Sequence, residues 1–299
     1  MSVTNRGFST DAYTVSTAGG TYATSVLDST CTTPLSTTPS VVAGASTDVC
    51  VRVAVPAGAA DGDSDTATLT ARSVGSTGVV ASATIRTIAV TLDTLLVDQD
   101  ANAPDVQPSY AAALSAAGVA FSTWDLATDA TLPASILLAH RTVVWFTGNT
   151  YPAPLARYES ELKAFLDGGG RLLMSGQDIL DQAAGTTTFV HDYLHIDWDG
   201  SETQNDKPTA AVHGVGASPV TDGIGAVPID HSVLGATFED RITPNGGALS
   251  AFTDDAAQPD ALSYAGTYRV VFMAFPLEAY GSAADKGDLV HRAMTFFGP

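Results

Sequence analysis

Hydrophobic and polar positions follow two different patterns along the chain, and the change of pattern predicts two domains, residues 1–91 and 92–299. In the first, short runs rich in Val and Thr, such as residues 13–16, are separated by Gly and Pro turns. In the second, continuous apolar runs such as 95–97 are followed by segments with helical spacing, such as 106–117. We therefore expect an all-β domain followed by an α/β domain.

The first domain is predicted to be an antiparallel β-sandwich, because its β-like runs are short and are joined by turn residues. Valines occupy every second position from Val49 to Val55, which predicts that they share the side facing the core. The predicted strands cover residues 13–16, 21–26, 48–55, 67–71 and 81–90.

Strands and helices alternate in the second domain, which predicts a parallel sheet covered by helices on both faces. Gly168, Gly169 and Gly170 precede a strand, which indicates a helix stop and not a phosphate-binding loop. Residues 199–240 are rich in Gly, Pro and Asp and are predicted to be an insertion with short strands and an edge hairpin. The predicted strands are 95–97, 119–124, 141–146, 171–174 and 268–274, and the predicted helices are 106–117, 133–139, 155–166, 283–297 and one that begins at Asp178.

Composition and charge narrow the range of functions. With 45% hydrophobic residues the chain can bury a sizeable core, and no apolar run approaches the roughly 18 residues that a membrane span needs. The formal net charge is -19, and residues 92–299 hold nine basic against 26 acidic residues. This charge argues against nucleic acid and anionic membrane surfaces as partners, and leaves a protein partner or self-association open.

The two cysteines, Cys31 and Cys50, both lie in the first domain. Cys50 shares the predicted outer face with Arg52, where an unpaired thiol would be unusual, so a disulfide is favoured over two unrelated thiols. A disulfide indicates an oxidising compartment, and we expect the protein to be secreted or held at the cell surface. The first residues lack the apolar stretch of a signal peptide, which leads us to expect a longer precursor.

Polar residues follow the predicted parallel strands, at the edge where sheets of this class bind ligands. Carboxylates crowded at one edge repel one another unless they are protonated or share a cation, so Asp98, Asp100 and Asp178 are candidate ligands of Ca²⁺ or Mg²⁺. The alternative is that they cap helices and accept backbone N–H groups. No nucleotide-binding motif is present, and no other cofactor is expected. The candidate binding residues are Asp98, Asp100, Asn149, Gln177 and Asp178.

Ser175 is the strongest candidate for a catalytic nucleophile. It lies between a predicted strand and a predicted helix, at the kind of turn where hydrolases hold a nucleophilic serine. A hydrolase would also need a histidine base and a carboxylate, Glu278 or Asp178, that orients it. The alternative is that Ser175 or Asp178 caps the helix that follows. The histidines of the middle segment are His191, His195, His213 and His231.

Two further groups have spacings that resemble metal sites. Asp61, Asp63 and Asp65 alternate as in a calcium loop, but the terminal glutamate of such a loop is missing, which favours a solvated turn. His191 and His195 are four residues apart and could share one helix face. Aspartate stands where the H-E-x-x-H zinc motif has glutamate, which favours surface histidines over a metal pair.

The first domain resembles the immunoglobulin-like modules of bacterial extracellular proteins. The resemblance rests on VTNRG at residues 3–7, DAYTV at 11–15 and VAVPAGAADGDSDTAT at 53–68. Modules of this kind are spacers appended to secreted proteases and glycosidases, so the resemblance implies a β-sandwich and no chemistry of its own.

The second domain resembles the class I glutamine amidotransferase-like fold, a flavodoxin-like α/β architecture. The resemblance rests on FTGN at residues 146–149, LMSGQ at 173–177 and AFPLE at 274–278. The family carries a nucleophilic cysteine in the second motif and a histidine in the third. Ser175 and Phe275 stand about where these two groups would be, while Glu278 is kept, which implies a scaffold without the family's reacting groups.

Four segments of the second domain look more narrowly like a region near the C-terminus of secreted bacterial subtilisin-like proteases and related surface proteins. They are LLVDQDANAPDVQPSY, VVWFTGNTYP, LDGGGRLLMSGQDIL and VVFMAFPLEAYG. We therefore expect a non-catalytic accessory or structural region of a larger secreted protein, which mediates protein contacts, attachment or assembly. The alternatives are a serine hydrolase that uses Ser175 and a module that binds carbohydrate or a cation.

Overall fold

The chain forms two compact units, Met1–Thr91 and Leu92–Pro299. The computed structural model describes residues 1–151, 155–181, 187–233 and 238–299. Within these residues no helix is both long and apolar enough to cross a membrane.

The first unit is made of short antiparallel strands, which pair as β2-β6-β7, β3-β5 and β1-β4. Burial alternates along β2, where Tyr13 and Val15 are buried and Thr14 and Ser16 are exposed, as a strand with one face on a core requires. The strands are β1 (Ser2–Thr4), β2 (Tyr13–Ala18), β3 (Ala23–Leu27), β4 (Ser46–Asp48), β5 (Cys50–Ala54), β6 (Ser64–Ser73) and β7 (Val80–Ile88). The core consists of Val3, Tyr13, Val15, Val26, Val41, Val49 and Leu69.

The predicted disulfide is confirmed, since Cys31 and Cys50 are bonded with their Cα atoms 5.3 Å apart. The prediction that the valines from Val49 to Val55 share a side facing the core is only partly correct. Val49 is buried and Val51 is half-buried, but Val55 is 43% exposed. The reason is that β5 ends at Ala54, so Val55 has already left the ladder with β3.

The second unit contains one nine-stranded sheet, a two-stranded ribbon and four α-helices among its described residues. The helices are α1 (Gln107–Ala116), α2 (Ala134–Ala139), α3 (Glu159–Asp167) and α4 (Ala283–Phe297). The strands are β8 (Thr94–Asp98), β9 (Phe121–Asp125), β10 (Thr142–Phe146), β11 (Arg171–Ser175), β12 (Ile196–Asp197), β13 (Ala211–Gly214), β14 (Ala226–Pro228), β15 (Thr243–Pro244), β16 (Leu249–Thr253), β17 (Pro259–Ala265) and β18 (Arg269–Met273).

The large sheet is mixed, and the prediction of an all-parallel sheet is therefore wrong for one half of it. The strands β9-β8-β10-β11-β18 are parallel, whereas β17, β16, β13 and β14 continue the sheet in antiparallel pairs. The turn between β17 and β18 covers only residues 266–268, which is too short for a parallel crossover and joins antiparallel neighbours. The hairpin of β13 and β14, within residues 199–240, forms one edge of the sheet.

The four inner parallel strands, β8, β10, β11 and β18, are buried on both faces, and alternate residues enter two separate cores. Leu95 and Val97 point to the side of α2 and α3, while Leu96 points to the side of α1 and α4. The predicted end of the 155–166 helix is confirmed, because α3 stops at Asp167 and Gly169 adopts a φ of 86°.

Two other local predictions differ from the structure. Gln177 to Leu180 form bends and turns, so no α-helix begins at Asp178, and the continuation at 182–186 lies outside the described residues. His191 lies in a π-helical turn, Phe189–Tyr193, whereas His195 follows this turn with a φ of 61°. The two histidines therefore do not share a helix face.

Replacing both cysteines by alanine is expected to reduce the free energy of unfolding of the first unit by about 3 kcal/mol, because the bond closes a loop of 19 residues in the unfolded chain. Far-ultraviolet circular dichroism follows the unfolding of both units, so the first unit is read from the transition that tryptophan fluorescence does not show. All three tryptophans lie in the second unit, so their fluorescence provides an internal reference in the same sample. An unchanged transition of the first unit would contradict the stabilising role of the bond.

Candidate functional site

The carboxyl ends of four parallel strands are aligned in one row. Asp98 of β8 is paired in register with Phe146 of β10, Phe146 with Ser175 of β11, and Ser175 with Met273 of β18. The segments that leave these strands carry most of the candidate residues, so the register brings them to one edge of the sheet. Open α/β sheets bind ligands at this edge.

Ser175 is fully buried, and its hydroxyl has three partners inside the protein. It donates to the carbonyl oxygen of Phe275 at 3.1 Å and accepts from the backbone N–H of Leu277 at 2.8 Å. The Tyr110 hydroxyl lies 3.1 Å from the same oxygen. The interpretation of Ser175 as a helix N-cap is therefore wrong, because its amide partner belongs to the segment after β18 and not to a following helix.

Tyr110 of α1 connects Ser175 to Glu278. Its hydroxyl donates to Glu278 Oε2 at 2.7 Å, and its ring stacks on Phe146 with centroids 4.1 Å apart. Both side chains are buried, and burial raises the pKa of Glu278 to about 7 and the pKa of Tyr110 well above its usual value. At neutral pH, Glu278 is thus poised between its charged and neutral forms in a site closed to solvent.

Phe275, in the AFPLE segment that follows β18, lies in the core. The ring is fully buried and packs edge-on against Phe252 at 5.6 Å and along Tyr280 at 6.1 Å. The side chain therefore completes the core between the sheet and α4, and it offers no group for proton transfer.

The four histidines of the middle segment have other partners than Ser175. His213 contacts Asp255 at 2.9 Å and His231 contacts Glu239 at 2.9 Å. His191 contacts Asp192, and His195 lies 3.0 Å from the Tyr268 hydroxyl. Within the described ranges, no hydrogen bond links a histidine to the Ser175 hydroxyl.

Asn149 and Gln177 join the turns after β10 and β11. The amide nitrogen of Gln177 donates to the amide oxygen of Asn149, and the backbone N–H of Phe238 donates to Gln177 Oε1 at 3.2 Å. The backbone N–H of Asp178 also donates to the carbonyl of Phe238, at 3.3 Å. These two candidate binding residues thus hold a chain segment against the sheet edge.

Asp178, which the sequence analysis groups with Asp98 and Asp100, lies in a different acidic environment. Burial, and then the carboxylates of Asp206, Asp181 and Glu239, raise its pKa to about 7.

Asp98 and Asp100 lie instead with Asp105, a residue that the sequence analysis did not select. One carboxylate oxygen from each of the three lies within 4.8 Å of the others. Burial, together with the neighbouring carboxylate of Asp100, raises the pKa of Asp98 to about 7. The spacing Asp98, Asp100, Asn102 is the signal in the sequence that could have drawn attention to this loop.

The three aspartates of the first unit serve its own backbone. Asp61 accepts the N–H of Thr91 at 2.7 Å, Asp63 that of Ala60 at 2.7 Å, and Asp65 that of Thr21 at 2.6 Å. Their oxygens therefore stabilise turns of the β-structure.

No protein-family model matches the sequence, and no curated protein matches it significantly. Among solved structures, the chain is similar to one described as "mmIFT52 N-terminal domain", with 12% sequence identity and a TM-score of 0.46. The similarity covers 68% of this chain and 95% of that chain. A similarity at this level does not establish a shared fold or a shared function.

Glu278→Gln is expected to raise the free energy of unfolding of the second unit by about 1–3 kcal/mol near pH 8 and to change it little near pH 4.5. The pKa of Glu278 is about 7 in the folded chain against an ordinary value of 4.5. Between these two pKa values the folded state keeps a proton that the unfolded state loses. The stability that Glu278 contributes by holding this proton is therefore complete below the unfolded pKa and is lost as the pH rises through 7. Glutamine has no such proton and still offers an oxygen to the Tyr110 hydroxyl.

Urea unfolding followed by tryptophan fluorescence at a series of pH values measures this difference. Glu202→Gln is the matched control, since Glu202 is exposed and loses the same charge. A difference between Glu278→Gln and wild type that stays constant with pH would refute the raised pKa.

Proposed function

We propose that this chain is a non-catalytic accessory or structural region of a secreted protein, which mediates protein contacts, attachment or assembly. The observation that carries the proposal is the buried Ser175 hydroxyl, which donates to the Phe275 carbonyl and accepts from the Leu277 N–H, with the Tyr110 hydroxyl 3.1 Å away. A serine nucleophile needs access to substrate and a base that takes its proton. Here the hydroxyl proton is directed to a backbone carbonyl, and the side chain is fully buried.

The surroundings of Ser175 support the same conclusion. An acyl-transfer site needs free backbone N–H groups that stabilise a developing oxyanion. The N–H of Leu277, which lies beside Ser175, already donates to the serine hydroxyl. The groups that could serve catalysis thus satisfy one another, which is what a structural role of the turn at Ser175 requires.

We further propose that the second unit is a flavodoxin-like, glutamine amidotransferase-like domain that has lost its reacting groups. The order of the parallel strands, β9-β8-β10-β11-β18, is second, first, third, fourth and fifth along the chain, as in flavodoxin-like sheets. In this proposal, Ser175 and Phe275 stand about where the family has its cysteine and histidine. The relationship to the C-terminal region of subtilisin-like proteases is part of this proposal.

The first unit is proposed to be an immunoglobulin-like spacer of an extracellular or cell-surface protein. Its antiparallel pairs, its single small core and its disulfide support this interpretation. A groove of about 880 Å³ on this unit is lined by residues of β1, β2, β6 and β7; Val79, which also lines it, is 59% exposed, and the adjacent Val80 is 43% exposed. Exposed apolar side chains next to an edge strand are typical of surfaces that contact other proteins.

Activity-based labelling tests the non-catalytic proposal. We expect that a fluorophosphonate probe does not label Ser175 in the folded chain, because the hydroxyl is buried and its proton is engaged. A serine hydrolase of known activity, labelled in parallel, shows that the probe is active. Labelling that is lost in Ser175→Ala would overturn the proposal.

Ser175→Ala is also expected to destabilise the second unit by about 1–3 kcal/mol, because it leaves the Leu277 N–H and the Phe275 carbonyl without their partner. The matched control is Ser115→Ala, since Ser115 is exposed on α1. Urea unfolding followed by tryptophan fluorescence measures both variants. Equal stability of wild type and Ser175→Ala would contradict a structural role for this hydroxyl.

A further inference from the structure

Three carboxylates converge at the loop between β8 and α1. Asp98 ends β8, Asp100 follows two residues later, and Asp105 precedes α1. One oxygen of each lies within 4.8 Å of the others, although Asp105 is seven residues from Asp98 in the sequence. Like charges at this separation repel one another unless a proton or a cation lies between them.

The loop is fixed by its own backbone amides. The Asp100 carboxylate accepts the N–H groups of Asn102 and Val106, both at 2.6 Å, and the Asp105 carboxylate accepts that of Gln107 at 3.1 Å. These contacts orient the two carboxylates, and each oxygen keeps a further lone pair for another ligand.

One oxygen of Asp98 is not accounted for by these contacts. Asp98 is only 1% exposed, and its Oδ1 accepts the N–H of Asp100 at 3.1 Å. Its Oδ2 is shielded from solvent and has no hydrogen-bond partner in the described part of the chain. A buried carboxylate oxygen without a partner is costly, and buried charges in proteins are paired or coordinate metals.

The described residues supply no countercharge for this group. Their ion pairs involve His191, His213, His231, Arg241 and Arg292, and none of them reaches Asp98, Asp100 or Asp105. A group of three carboxylates with a buried unpartnered oxygen therefore lacks a positive charge that a bound cation would provide.

We propose that Asp98, Asp100 and Asp105 bind a calcium ion. The donors are all carboxylate oxygens, which hard cations prefer and zinc does not. Asp105 is exposed, so the open side of the group can be completed by water. Calcium accepts such an irregular set of six to eight oxygens, whereas magnesium demands near-ideal octahedral geometry. The ion would tie the loop to the end of β8 and to the start of α1, and the proposal does not depend on whether Ser175 is reactive.

Calcium titration of the full chain, freed of metal by a chelator and dialysis, tests the site. We expect calorimetry to show one site with a dissociation constant on the order of 10⁻⁴–10⁻³ M, as in extracellular calcium modules. Thermal unfolding followed by tryptophan fluorescence reports the second unit alone, and its midpoint should rise by roughly 3–6 °C at saturating calcium. The same ionic strength supplied as sodium chloride should give a smaller shift, and magnesium should be weaker than calcium.

The decisive variant is Asp105→Asn, because asparagine keeps an oxygen for the Gln107 N–H and the position is exposed. It should unfold like wild type without metal and should weaken calcium binding at least tenfold. Asp222→Asn, an exposed aspartate of the same unit, removes the same charge and should bind calcium like wild type.

Two results would overturn the proposal. One is the absence of calcium binding by the wild-type chain. The other is an equal response of wild type, Asp105→Asn and Asp222→Asn, which would show diffuse attraction of cations to a chain with a net charge of -19.

Discussion

Buried carboxylates are the constraint on which the second unit depends. The parallel register aligns the strand ends, and the segments that leave them place acidic side chains where water does not reach. Each must be satisfied by backbone N–H groups, by a hydroxyl, by a proton or by a cation, because an unpaired buried charge costs several kcal/mol. The buried acidic residues of this unit are Asp98, Asp100, Asp178, Glu239, Asp240, Asp254, Asp260 and Glu278.

Several of these groups have an internal partner. Glu278 uses the Tyr110 hydroxyl, Asp254 uses Arg241 at 2.6 Å, and Glu239 uses His231. Burial raises the pKa of Asp240 to about 8, so this residue holds a proton at neutral pH. At the β8 loop, three carboxylates lie within 4.8 Å of one another, and one buried oxygen, Asp98 Oδ2, has no hydrogen-bond partner among the described residues; there we propose a cation.

The sequence predicted those helices and strands whose pattern is complete within a single short segment. Helix α4 spans Ala283–Phe297 as predicted, because Ser282 and Asp285 form a capping box at its start and an apolar face follows. Strand β17 was missed because two buried polar residues, Asp260 and Ser263, interrupt its apolar pattern. Without β17, the antiparallel half of the sheet could not be inferred.

The sequence predicted where the candidate site lies, but not which residues contact one another there. The strand ends identify Asp98, Asp100 and Ser175, but the partners of Ser175 come from residues 65 and about 100 positions away. Asp105 reaches Asp98 because Ala101 and Asn102 adopt positive φ values of 58° and 56°. Residues other than glycine rarely adopt this conformation, so the local sequence gives no sign of the turn.

The central claim is that the Ser175 hydroxyl is engaged by internal partners, and the amide proton of Leu277 reports on this contact directly. In the closed arrangement this N–H donates to the Ser175 hydroxyl inside the protein. Nuclear magnetic resonance of hydrogen exchange should therefore find it protected to the same degree as the amides of Val270 and Val271 in strand β18. Exchange of the Leu277 amide at the rate of an exposed loop would show that this N–H is a free donor and that the contact with Ser175 is open, and would contradict the account.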